Sequence, residues 1–207
     1  MFEVAEKEAT KALKRALKTT PVAEWVKETV GVGEKQGARL LAVIGHPRWR
    51  YESETEEWHP RTIAQLWAYC GYHVVPAGGQ RSSGTHRVTA PGVAPSRARG
   101  KQGNWNTQAR TRAYLIAESC IKQMHSPYRK VYDHGREKYA EAKHESDCKR
   151  CGPSGKPALA GSDLSDGHKH ARAMRLTAKV MLKDLWIAAG EDQVESEAHK
   201  QNVLVAA

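Results

Sequence analysis

Residues 29–45 read TVGVGEKQGARLLAVIG, and the fold turns on the two glycines near its start. Gly31 and Gly33 flank Val32, and residues 34–44 then carry an unbroken helical pattern that ends at Gly45 and Pro47. Upstream, Pro21 suits the first turn of a helix running through Glu28. Two helices joined by G-V-G fit a helix-hairpin-helix. Glycines there let the backbone approach a phosphate closely, and the second helix offers unpaired N–H groups and its positive dipole end. Lys35 and Arg39 lie one turn apart, so both can face the same phosphate backbone. Such contacts position nucleic acid without reading its sequence. A glycine cap between two packed helices is the alternative reading of the same residues.

Outward from this stretch, residues 4–18 place Val4, Ala9, Leu13 and Leu17 near one face of an amphipathic helix. RWRYESETEEWHP, from Arg48, reads as a polar connection, and TIAQLWAYC at 62–70 as a short helix closed by Gly71. YHVVPAG is the one convincing strand. Residues 78–103 are dense in Gly, Ser, Pro and Arg, a length of loop that is usually functional or disordered. Helices resume at 106–124, 127–144 and 168–189, with Trp25, Trp67 and Trp186 on core-facing stripes. The expected fold is mainly α: a helix-hairpin-helix, then a helical domain with a basic Gly/Arg-rich loop and a small zinc knuckle. The expected division is an N-terminal helix at 1–19, the hairpin at 20–60, the larger domain at 61–190 with a Cys/His insertion at 144–170, and a tail at 191–207.

The 207-residue chain has a formal charge of +10 and six Trp and seven Tyr against one Phe. A pI near 9.5 favours an anionic partner. No apolar run is long enough to cross a bilayer and no signal peptide is evident, so a cytoplasmic protein without membrane contact is expected. A nuclease of the ribonuclease-H type needs carboxylates on apolar strands to hold two metal ions. No β-branched run here carries an Asp, so the chain does not bring its own acidic two-metal site.

Three clusters carry chemistry. Ser82 and Ser83 stand in GGQRSSGTHR with Arg81, His86 and Arg87, where glycines allow close approach to a phosphodiester and arginines can stabilise developing charge. A solvated polar turn is the plain alternative. PSRARGKQGNWNTQARTRAY supplies Arg97, Arg99, Lys101, Arg110 and Arg112, a cation density suited to a nucleic-acid groove; its Trp105 can stack on a base or anchor the loop. Cys148-x-x-Cys151, preceded by His144 and followed by His168 and His170, has the composition of a structural zinc site, taken here as Cys148, Cys151, His168 and His170.

TPVAEWVKETVGVGEKQGARLLAVIGHP, TIAQLWAYCGY, SSG and NTQARTRAYLIAESC, in that order, resemble the C-terminal domain of insertion-sequence transposases of the IS-one-ten type. That family includes pilin-gene invertases and RNA-guided bridge recombinases. The resemblance spans about residues 20 to 186. It implies a DNA-binding domain for transposition in which the serine before glycine, Ser83 (or Ser82 in the neighbouring register), attacks the DNA backbone and forms a phosphoserine link. In the family a RuvC-like domain with an acidic quartet precedes this one through a coiled coil, whose end residues 4–18 match. No acidic domain is expected in this sequence, so magnesium is expected only through a separate acidic partner, alongside DNA, a guide RNA and homo-oligomer formation. The rival expectations are a non-catalytic DNA- or RNA-binding protein and a zinc-stabilised interaction module.

Overall fold

The computed structural model describes residues 2–76, 92–95, 103–153 and 156–190. Its elements are α1 (Phe2–Lys18), α2 (Ala23–Glu28), α3 (Glu34–Ile44), β1 (Trp49–Glu52), β2 (Glu57–Pro60), α4 (Ile63–Tyr69), β3 (Val75–Pro76), β4 (Gly92–Val93), α5 (Thr107–Ile121), α6 (Pro127–Lys138) and α7 (Asp166–Ala188). The protein is mainly helical. No helix among the described residues is long and apolar enough to cross a membrane.

Side-chain caps fix most helix starts. Thr62 opens α4 with a capping box: its hydroxyl accepts from Gln65 N while the Gln65 amide oxygen accepts from Thr62 N. Asn106, Ser126 and Ser165 accept from backbone N–H groups at the starts of α5, α6 and α7.

The buried apolar side chains form one cluster, from Leu17 through Val22, Val26, Val32, Leu40 and Ile44 to Leu66, Ile116, Tyr128, Met174, Met181, Leu182 and Leu185. The longest helix, α7, runs through its middle. Each fully buried Leu or Met contributes about 1.5–3 kcal/mol, so α7 is the main apolar support. Trp25, Trp67 and Trp186 pack against the cluster. Their ring nitrogens also tie elements together: Trp67 Nε1 donates to Lys179 O at 3.0 Å, and Trp186 Nε1 to Arg61 O at 2.8 Å.

Two expectations are corrected. Residues 49–60 form an antiparallel β-hairpin rather than a plain connection, with Tyr51 opposite Trp58 and their ring centroids 5.5 Å apart. Cross-strand aromatic pairing of this kind outweighs the intervening glutamates. And α6 ends at Lys138, short of residue 144, although Ala140, Glu141 and Ala142 favour helix. Tertiary pairing wins there: His144 exchanges backbone hydrogen bonds with Ser162 and Gly161.

Candidate functional site

The turn between α2 and α3 bends at Gly31, with φ +98°, and at Gly33, with φ +67°. Gly33 opens α3 without a side-chain cap. The first turn of α3 carries Glu34, whose carboxylate pairs with Lys14 of α1 at 2.9 Å. Lys35 pairs with Glu6 at 2.8 Å. The Lys35 hydrogen bond and charge, with a smaller contribution from Arg39, hold the Glu6 carboxyl below its usual value. Lys35, one of the cations assigned to phosphate, is therefore turned toward α1.

The stretch expected as an uninterrupted loop at 78–103 is corrected, because β4 lies inside it. Strands β3 and β4 pair antiparallel, so the chain leaves at Pro76 and returns at Gly92 side by side. Trp105 lies against Gly71 and Gly103: an added Cβ would meet its ring at 2.7 Å and 3.0 Å respectively. This seating makes Trp105 an anchor of the loop. Ser82, Ser83, Arg81, His86, Arg87, Arg97, Arg99 and Lys101 lie outside the described residues.

Around this base stand three cations. Arg175 of α7 donates to Gly71 O at 3.4 Å, to Tyr72 O at 2.6 Å, and to His73 O, holding the chain that leads into β3. The Arg110 guanidinium lies 5.3 Å from the Trp105 ring and 6.0 Å from that of Tyr72. The Lys179 ammonium sits 4.0 Å over Trp67. Burial, then the neighbouring Arg110 charge, lowers the pKa of Arg175; burial, then Arg175, lowers that of Lys179. Among the described residues no carboxylate pairs with any of the three. Arg112, two residues beyond Arg110 in α5, is half-buried. Sequence reasoning missed Arg175 and Lys179, yet Arg172, Arg175, Lys179 and Lys183 recur at helical spacing along α7.

The second cluster lies between α6 and α7. His144 and Cys148 are held by short bridges, with Cys148 and Ala158 exchanging backbone hydrogen bonds at 2.8 and 2.9 Å. Cys151 Sγ lies 3.0 Å from the Ser165 hydroxyl and 3.3 Å from His168 Nδ1. The His144 and His168 ring centroids are 5.5 Å apart. One donor atom from each of His144, Cys148, Cys151 and His168 lies within 4.8 Å of all the others, so this group could hold a metal ion. His170 stands elsewhere: its Nδ1 is 2.8 Å from the Tyr132 hydroxyl. His144 takes the place that the sequence reading gave to His170.

The electrostatics separate Cys151 from the two buried thiols. The Ser165 hydrogen bond, foremost, lowers the Cys151 pKa, whereas burial pushes Cys70 up to about 12 and Cys120 up to about 11. Buried, protonated thiols such as the latter two are packing residues. Burial, then the Arg172 charge, lowers His168 and favours the neutral imidazole that a metal needs.

No family model, curated protein or solved structure matches the chain.

Proposed function

We propose that the chain is a DNA-binding domain for transposition and recombination, in which a serine of the central basic loop attacks the DNA backbone in cooperation with a separate acidic domain. The observation that carries this reading is the cation set Arg110, Arg175 and Lys179 at the foot of that loop, which no carboxylate among the described residues neutralises. Like charges held together in partly buried surroundings are relieved by an anion, and a phosphodiester supplies one. In the sequence, residues 78–103 add Arg81, Arg87, Arg97, Arg99 and Lys101. The ordered motifs of the sequence supply the family context, a transposase domain of the IS-one-ten type.

In this reading Ser83 Oγ forms a bond to phosphorus while the bond from phosphorus to the departing deoxyribose oxygen breaks, and the serine hydroxyl proton passes to that oxygen. The arginines stabilise the charge on the phosphoryl oxygens. Magnesium belongs to the acidic partner. The ion at the His/Cys cluster is zinc, matched by two sulfur and two nitrogen donors, and its role is structural. A homo-oligomer and a guide RNA belong to the same proposal.

The test is incubation of the chain with supercoiled DNA, magnesium and a supplied RuvC-like acidic domain. A protein–DNA adduct that survives denaturation, and disappears when the acidic domain is omitted, supports the proposal. DNA binding with salt dependence but no adduct under any condition points to a non-catalytic binding protein. Absence of both overturns the nucleic-acid reading.

A further inference from the structure

We infer that His144, Cys148, Cys151 and His168 form a closed, four-ligand zinc site, and that this ion is the core around which the segment between α6 and α7 folds. The inference rests on the zinc reading of the cluster and is independent of the nucleic-acid reading.

The segment has almost nothing else to fold around. Among its described residues from 139 to 165, only His144 and Leu164 are buried. Ordering a chain of this length costs roughly 1–2 kcal/mol per residue in backbone entropy, which one leucine cannot offset. Two isolated bridges, Lys143 with Asp163 and Cys148 with Ala158, are likewise too few to hold it. Yet its turns converge on four donor atoms.

One donor is otherwise unexplained. His144 is 5% exposed, and its Nε2 is buried without a hydrogen-bond partner. An orphaned imidazole nitrogen is costly in a dry setting, and a coordinated cation removes that cost. The geometry around it is close to what zinc requires. With Zn–S near 2.3 Å and Zn–N near 2.0 Å, a tetrahedron puts sulfur and nitrogen about 3.5 Å apart. Cys151 Sγ and His168 Nδ1 are already 3.3 Å apart.

The support around the ligands is also present. The Ser165 hydroxyl lies 3.0 Å from Cys151 Sγ, placed to donate to a thiolate, and the same residue caps α7. Gly152, just after Cys151, admits no side chain: a Cβ would lie within 1.9 Å of Lys156 O. The C-K-R-C turn is thus folded back on itself in the manner of a metal knuckle. Two thiolates and two neutral imidazoles leave no open position, so the site is structural. Because His168 lies in the first turn of α7 and His144 follows α6, the ion ties the segment to both helices.

The experiment is metal analysis of protein prepared under reducing conditions without chelator, followed by cobalt substitution and amide hydrogen exchange. About one zinc per chain is expected. Cobalt should give visible bands of tetrahedral, thiolate-bound metal. His144→Ala should lose the metal, His144→Cys should keep it with an altered cobalt spectrum, and His170→Ala should leave metal content and spectrum unchanged. A chelator should abolish exchange protection of the described residues in 143–164 while α3 and α5 keep theirs. Metal-free protein, octahedral cobalt, metal retained in His144→Ala or lost in His170→Ala, or unchanged exchange on chelation would each overturn the inference. None of these readouts depends on DNA, so loss of DNA binding alone leaves the inference standing.

Discussion

Gly31 stands so close to α5 that a Cβ on it would lie 2.6 Å from the Cys120 Cα, a backbone atom that cannot swing aside. Gly33, two residues on, also has positive φ but meets nothing within 4 Å. The two glycines of G-V-G therefore differ in what they do. Gly31→Ala combines left-handed strain with overpacking and should cost about 3 kcal/mol, whereas Gly33→Ala should cost about 1 kcal/mol. In a chain of this size the melting temperature should fall by roughly 9 °C and roughly 3 °C respectively. Equal losses, measured by thermal unfolding, would mean that the turn does not press on Cys120.

The Glu6–Lys35 pair makes the phosphate role of α3 testable from the other side. Glu6→Gln should release Lys35 and tighten binding to unrelated duplexes, while Lys35→Ala should weaken it and lower the salt slope by about one unit. If neither substitution moves binding, the α2–α3 turn does not meet phosphate and is only a packed glycine turn.

The same contacts predict a pH effect. Lys35 lowers the Glu6 pKa and Lys14 lowers that of Glu34, each by hydrogen bond and then by charge. A carboxylate with a depressed folded pKa supports the fold above its unfolded value, and that support is lost as pH falls through the folded one. Docking of α1 on α3 should thus hold at neutral pH and loosen below the usual glutamate value of 4.5. Both pairs are exposed, so the effect should be small and fade in high salt. Proteolysis within residues 2–18 at pH 6 and pH 3.5 would measure it. Equal cleavage at both, at low salt, would show that these pairs do not hold α1.

Where local chemistry decides, the sequence was readable. Gly33 and Gly45 bracket α3, and Thr62, Asn106 and Ser126 stand at helix starts that periodicity placed within a residue or two, whereas α7 starts at Asp166 behind the Ser165 cap, two residues before the 168 expected. Where distant residues decide, it was not. The pairing of Tyr51 with Trp58 is hidden by the glutamates between them. The choice of His144 over His170 depends on Ser162 and Gly161 drawing one histidine in and Tyr132 drawing the other away. Lys35 looked available for phosphate because Glu6 is 29 residues away in the chain.

Arg175 joins the loop to the helical core, and its removal should be felt in both. It donates to the carbonyls of Gly71, Tyr72 and His73. Arg175→Ala leaves these acceptors without a charged donor and should destabilise the fold by about 2 kcal/mol. It should also weaken DNA binding and lower its salt slope. Arg175→Lys keeps the charge but not the planar fork, so it should recover the salt slope better than the stability. A stability loss with DNA binding untouched in both variants would make Arg175 a strut alone and remove it from the interface.

Ser83 separates chemistry from binding. It lies outside the described residues, in a Gly-rich stretch where loss of one hydroxyl should alter stability by no more than about 0.5 kcal/mol. A nucleophile cannot be spared in this way, since no neighbouring group forms the same covalent intermediate. Ser83→Ala should therefore leave melting and DNA affinity nearly unchanged and eliminate the adduct formed with magnesium and the acidic domain. Ser82→Ala should retain it. If Ser82 is the residue whose loss is fatal, the attacking oxygen sits one residue earlier. If both variants still form adduct at the parent's rate, neither serine is the nucleophile and the covalent mechanism fails for this chain.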